Sequence, residues 1–144
     1  MVGTGKSVST AESCTSGLIA AALTTVSGSS EYVKGGIVAY TEEMKNRLLG
    51  VPLETIERCN VVSEEVVREM VRGTIGAFSS IYGVASTGVA GPTGGTDEIP
   101  VGTIWIAAGN KDRVVARCLH GDNGREQNVN DAACEALRLL LEVI

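Results

Sequence analysis

The order of segment types constrains this chain most. Up to residue 88, runs suited to a pleated strand alternate with runs whose apolar residues recur at helical spacing, and two consecutive strand-like runs then follow. "GKSVSTAE" (5–12) reads as a strand, and "TSGLIAAALTTV" (15–26) as a helix with one broad face of small and apolar residues. "SGSS" breaks that helix, and "VKGGIVAY" (33–40) reads as a second strand. Thr41 is a good N-cap for "EEMKNRLLG", whose acidic first turn suits the helix dipole and whose Gly50 and Pro52 mark the stop. "PLETIERC" (52–59) adds one or two turns. Ser63 caps "EEVVREMVRGTIGAF", with Val66, Val67, Met70, Val71 and Ile75 on its buried stripe. "YGVASTG" (82–88) is a strand that runs into the turn-rich "VAGPTGGTDEIPVG". "TIWIAAG" and "RVVARCLH", joined by "NKD", read as a hairpin, and a last helix runs from about Arg125 to Val143.

Helices interleaved with strands, then a late hairpin, predict an α/β fold: a three-layer α/β/α sandwich around a mixed sheet. Residues 1–144 fit one domain, since a chain of this length hides roughly 68–70% of its unfolded surface without needing a staple. Ligands of open α/β sheets sit beyond the carboxyl ends of strands. That rule selects residues 12–17, 40–45 and 87–96, all unusually polar or glycine-rich for their position.

Composition narrows the partners. A net charge of −5, 3% aromatic residues and no Lys/Arg cluster argue against a nucleic-acid surface and favour a small ligand. No apolar run approaches the roughly 18 residues of a membrane span, and "MVGTGKSVST" has no signal core, so a water-soluble, cytoplasmic protein is expected. Four dispersed cysteines without a CxxC pair, and one histidine, indicate neither a zinc site nor a disulfide framework.

The three strand ends suggest chemistry. At 12–17, free N–H groups at a helix start can hold an oxyanion, and a serine just before them is well sited to attack a carbonyl. A serine needs a base. Lys45, about one turn into the second helix, can serve if desolvation lowers its pKa, and Tyr40 can relay the proton or position the amine. The glycines of "STGVAGPTGG" let backbone N–H groups approach a phosphate or carboxylate closely. Each feature also has an ordinary reading: small turn residues, a surface lysine, a core-edge tyrosine, a tight connection. Their convergence favours the site. "GTGKS" (3–7) lacks the earlier glycine that a phosphate loop needs. A His120–Ser13 pair remains open at this point.

"TAESCTSGLIAAALT", "GSSEYVKGGIVAYTEEMKNRLLGV", "VVSEEVVREM", "STGVAGPTGGTDEIPVGTIWIA" and "GDNGREQN" resemble, in order, the blocks of the CinA C-terminal domain family, which includes bacterial nicotinamide-mononucleotide deamidases. The resemblance runs from about Ser9 to Leu140. It implies hydrolysis of nicotinamide mononucleotide (NMN) to nicotinic acid mononucleotide and ammonia, in pyridine-nucleotide recycling. It also implies a serine mechanism without cofactor or metal, on an α/β/α fold, in a homo-oligomer (dimer or higher). The family's catalytic positions fall on Ser13, Tyr40 and Lys45. Its substrate-binding positions fall on Thr87, Gly88, Gly91, Gly94 and Gly95, with Arg125 as the phosphate holder. N–H groups near Cys14 and Thr15 are the oxyanion candidates, Thr15 and Ser16 being expected to begin the helix. Two departures stand out: Ser16 replaces the usual glycine, and the late block offers Arg125 alone among its arginines. The competing expectation is a non-catalytic nucleotide-binding or regulatory module, and retention of Ser13, Tyr40 and Lys45 together favours the enzyme.

Overall fold

The computed structural model describes residues 1–144. Five strands form one mixed sheet: β1 (Val8–Glu12), β2 (Val33–Val38), β3 (Tyr82–Gly88), β4 (Ile104–Gly109) and β5 (Val114–Leu119), in the order β2-β1-β3-β4-β5. β1 runs parallel to β2 and β3, while β3–β4 and β4–β5 are antiparallel. Five helices accompany them: α1 (Leu18–Thr24), α2 (Glu42–Leu49), α3 (Leu53–Cys59), α4 (Glu64–Phe78) and α5 (Arg125–Val143). The α/β sandwich expected from the alternation is the fold observed.

Alternation along the strands divides the core in two. Val8, Val84, Ile104, Ile106 and Ala108 join Ile19 of α1 and Ala132, Ala136 and Leu139 of α5 on one face. Ala11, Ala85 and Ala107 join Leu49, Ile56, Val66, Val67, Met70 and Val71 of α2–α4 on the other. β1 is fully buried and β3 nearly so, as central strands covered on both sides must be.

Local capping sets several boundaries as read from the sequence. Thr41 Oγ1 accepts the Met44 N–H, Ser63 Oγ accepts the Val66 N–H, and Gly50 closes α2 with a φ of 67°. Away from the site, β1 begins at Val8, which leaves 5–7 outside the strand expected over 5–12. At the site two boundaries differ. β2 ends at Val38, leaving Tyr40 beyond the strand. α1 begins at Leu18, so Thr15 and Ser16 do not start it; residues 13–17 form turns instead. Ser16 there has a φ of 53° and Gly17 a φ of 98°. The resemblance places a glycine at position 16, and its reason is now visible: an L-residue in this left-handed region costs about 1 kcal/mol.

The parallel β2-β1-β3 arrangement brings the carboxyl ends of those strands side by side. Residues 13, 39–45 and 87–94, remote in sequence, therefore meet at one end of the sheet.

Candidate active site

At that end lies a cavity of about 360 Å³ lined by Ser13, Cys14, Tyr40, Thr41, Glu42, Lys45, Val61, Val62, Thr87–Gly91, Thr93, Gly94 and Arg125. Three separate predicted segments thus share one wall-to-wall site. Its centre is Lys45, only 2% exposed despite its charge-bearing head. The Nζ donates to the Ala39 carbonyl at 2.9 Å and lies 3.0 Å from Ser13 Oγ. Burial drives the Lys45 pKa below its ordinary 10.5, with Cys14 and Glu42 partly opposing the shift. A buried amine of this kind is a competent proton acceptor for a hydroxyl at hydrogen-bond distance.

The turn after β1 supplies the donors. Neither the Cys14 nor the Thr15 N–H has an acceptor within the protein, whereas those of Gly17, Ile19 and Ala20 bond the Glu12 carboxylate. The free N–H groups therefore belong to the turn and not to the first helical residues. The Cys14 thiol is 4% exposed, and burial pushes its pKa up to about 11. It remains a thiol across the neutral range.

Tyr40 reaches the cavity but not the Ser13–Lys45 pair. Its hydroxyl accepts from Arg125 Nη2 at 3.0 Å, and it makes no hydrogen bond to Ser13 or Lys45. Arg125, first residue of α5, also donates Nη1 to the Gly91 carbonyl at 2.7 Å. This fork ties the glycine loop to Tyr40 across the cavity mouth. Thr87 is buried, and its hydroxyl donates to Val61 O, anchoring the Asn60–Val62 connection beside the site.

Gly88, Gly91 and Gly94 line the cavity, but Gly95 does not. A Cβ at Gly95 would lie 2.7 Å from the Val101 N, so its glycine serves the close packing of the loop on itself. At Gly88 a Cβ would fall 2.6 Å from the Ile104 Cα, which keeps β3 and β4 close just where the loop departs. Ser16 faces a neighbouring depression with Glu126, Val129 and Asn130, so its side chain does not narrow the main cavity as its departure from glycine suggested. His120 follows β5, which β3 and β4 separate from β1, and lines a different hollow with Asn128 and Asp131. The structure does not pair it with Ser13.

Three residues that the sequence reading passed over shape the site. Asn128 of α5 is buried; its amide donates to Ala90 O and Asp122 Oδ1 and its carbonyl accepts the Asn123 N–H, fixing both loops around Arg125. Ser86 sits 2.7 Å from Thr15 Oγ1. Glu12 was marked in the sequence by being the single charged side chain between Lys6 and Glu31.

Known proteins share the sequence and the fold of this chain. A CinA-like protein of Cytophaga hutchinsonii is 44% identical over 135 residues, covering 94% of this chain. This chain spans 32% of that relative's length. The nicotinamide-nucleotide amidohydrolase PncC of Pseudomonas putida is 44% identical over 136 residues, covering 94% of this chain and 85% of its own. The crystal structure of the competence/damage inducible protein CihA from Agrobacterium tumefaciens superposes with a TM-score of 0.93 at 40% identity, over 96% of this chain and 85% of that one. The family model of the CinA C-terminal domain matches residues 1–144, and the chain belongs to that family.

Proposed function

We propose that the chain, acting as one domain, is an amidohydrolase that converts NMN and water to nicotinic acid mononucleotide and ammonia through an acyl-enzyme on Ser13. The observation that carries this reading is the 3.0 Å contact between Ser13 Oγ and the buried amine of Lys45. The similarity to a relative named as a nicotinamide-nucleotide amidohydrolase along 94% of the chain supports the choice of substrate.

The neutral Lys45 amine donates one N–H to Ala39 O and turns its lone pair toward the Ser13 hydroxyl. As Ser13 Oγ bonds the carboxamide carbon, its proton passes to Nζ, and the oxyanion is met by the Cys14 and Thr15 N–H groups. Lys45 returns the proton to the departing nitrogen, which leaves as ammonia. A water molecule, deprotonated by Lys45, then attacks the acyl carbon; the carboxylate product leaves and Ser13 regains its proton. The reaction balances with water alone. Loop 88–94 and Arg125 hold the phosphate and ribose, and Tyr40 positions Arg125 instead of relaying the proton. The protein works in the cytoplasm, as a homo-oligomer, in pyridine-nucleotide recycling.

The direct test measures ammonia released from NMN and from free nicotinamide. Turnover of NMN at least about 100-fold above nicotinamide is expected, because the phosphoribosyl group supplies the binding energy that places the amide. Release from neither substrate overturns the reading in favour of a nucleotide-binding module. Tyr40→Phe separates the tyrosine's two roles. Loss of the hydroxyl that accepts from Arg125 raises KM about tenfold with kcat nearly unchanged, a hydrogen bond to a charged group being worth about 1.5 kcal/mol. A comparable fall in kcat instead restores the proton relay.

A further inference from the structure

Resting on the hydrolase reading, we infer that Glu12 is a positioning residue, whose buried carboxylate fixes the turn after β1 so that the Cys14 and Thr15 N–H groups stay free for the oxyanion. Glu12 ends β1 with 0% exposure. Its Oε2 accepts from Thr15 Oγ1 at 2.7 Å and from the Gly17 and Ile19 N–H groups at 3.0 Å; Oε1 accepts from the Ala20 N–H at 2.8 Å. No cation pairs with it. Burying an unpaired carboxylate is a costly way to cap a seven-residue helix, when an exposed serine or aspartate at the N-cap does that work. A capping role alone does not account for it.

The bond directions show what else it does. Glu12 Oε2 accepts from the Thr15 hydroxyl, so Thr15 spends its single proton there. Thr15 Oγ1 can then only accept from Ser86, which makes Ser86 the donor of their 2.7 Å bond. A one-way chain, Ser86 to Thr15 to Glu12, thereby fastens β3 to the turn that carries Ser13. Meanwhile Glu12 occupies the amides of Gly17, Ile19 and Ala20, the groups at the start of α1 that would otherwise attract an anion. The N–H groups of Cys14 and Thr15 keep no acceptor within the protein, next to the attacking serine.

The test compares Glu12→Gln, Thr15→Val and Thr15→Ser for melting temperature, kcat, KM and the rate at which an aryl fluorophosphonate labels Ser13, read by intact mass. Labelling forms a phosphorus–oxygen bond at Ser13 and expels fluoride, so it reports serine activation without NMN. Glu12→Gln is expected to lower kcat and labelling together by about 100-fold, the scale of one misplaced oxyanion donor. Thr15→Val is expected to lower both about tenfold, with KM changed less than about threefold, and Thr15→Ser to restore them by keeping the hydroxyl. If Glu12→Gln does not fold, the Thr15 pair decides alone. Variants that melt earlier yet keep kcat and labelling within about threefold overturn the inference and leave Glu12 a helix cap. A wild type labelled at Ser13 that releases no ammonia overturns the substrate reading only. A wild type that the probe leaves unlabelled overturns both.

Discussion

Lys45→Met lowers ammonia release from NMN at pH 7 by about 1,000-fold, within the range spanned by general-base catalysis. Methionine fills the same channel with an unbranched apolar chain, so the fold persists; the loss is the proton acceptor 3.0 Å from Ser13 and the donor to Ala39 O. The pH profile carries the diagnosis. Activity needs the neutral amine, and burial places the Lys45 pKa below 10.5, so kcat/KM of the wild type rises with pH along a limb centred below that value. The variant's residual rate lacks this limb. Stability follows the same group. Between the native pKa and the ordinary 10.5 the unfolded chain binds a proton that the native chain does not. Wild-type stability therefore climbs as pH rises through that window and is lost as pH falls through the native pKa, whereas Lys45→Met shows no such slope. Denaturant titrations at several pH values read the difference. An unchanged rate at pH 7 would return the proton transfer to water.

Ser13→Ala removes catalysis more completely, by about 10⁴-fold or more, since residues acting as one unit fail together when the nucleophile is lost. The side chain is 7% exposed and its hydroxyl contacts Lys45 alone, so the deletion leaves Ala39 O still bonded to Nζ and disturbs little packing. NMN binding by calorimetry is expected to stay within about threefold of wild type, because loop 88–94 and Arg125 are untouched. Full activity in Ser13→Ala sinks the assignment of the nucleophile.

What the sequence disclosed was what local chemistry controls. Thr41, Ser63 and Gly50 set helix ends through bonds spanning a few residues, so their roles could be read from spacing. The strand-end rule likewise selected 12–17, 40–45 and 87–96, which hold Ser13, Lys45 and the cavity-lining part of the glycine loop, because parallel pairing of β1, β2 and β3 follows from the alternation of elements. Long-range partners were hidden. Tyr40 was read as a helper of Lys45, yet its hydroxyl belongs to Arg125, 85 residues away. α1 starts three residues later than its apolar pattern suggests, because its cap comes from Glu12 on the neighbouring strand, outside the helix altogether. Gly95 looked like part of the phosphate cradle, but it meets the backbone of Val101, a contact that no spacing announces.

The thiol beside the nucleophile has a consequence for covalent reagents. Burial pushes the Cys14 pKa up to about 11, so it stays a thiol at neutral pH, and it is almost wholly enclosed. Soft electrophiles that seek thiolates will pass the cavity by and find Cys134 on the surface of α5. Hard acylating or phosphonylating groups will meet an oxygen. Two adjacent side chains of similar size are thus sorted by solvation into one that reacts and one that does not, and an inhibitor can tell them apart without shape discrimination.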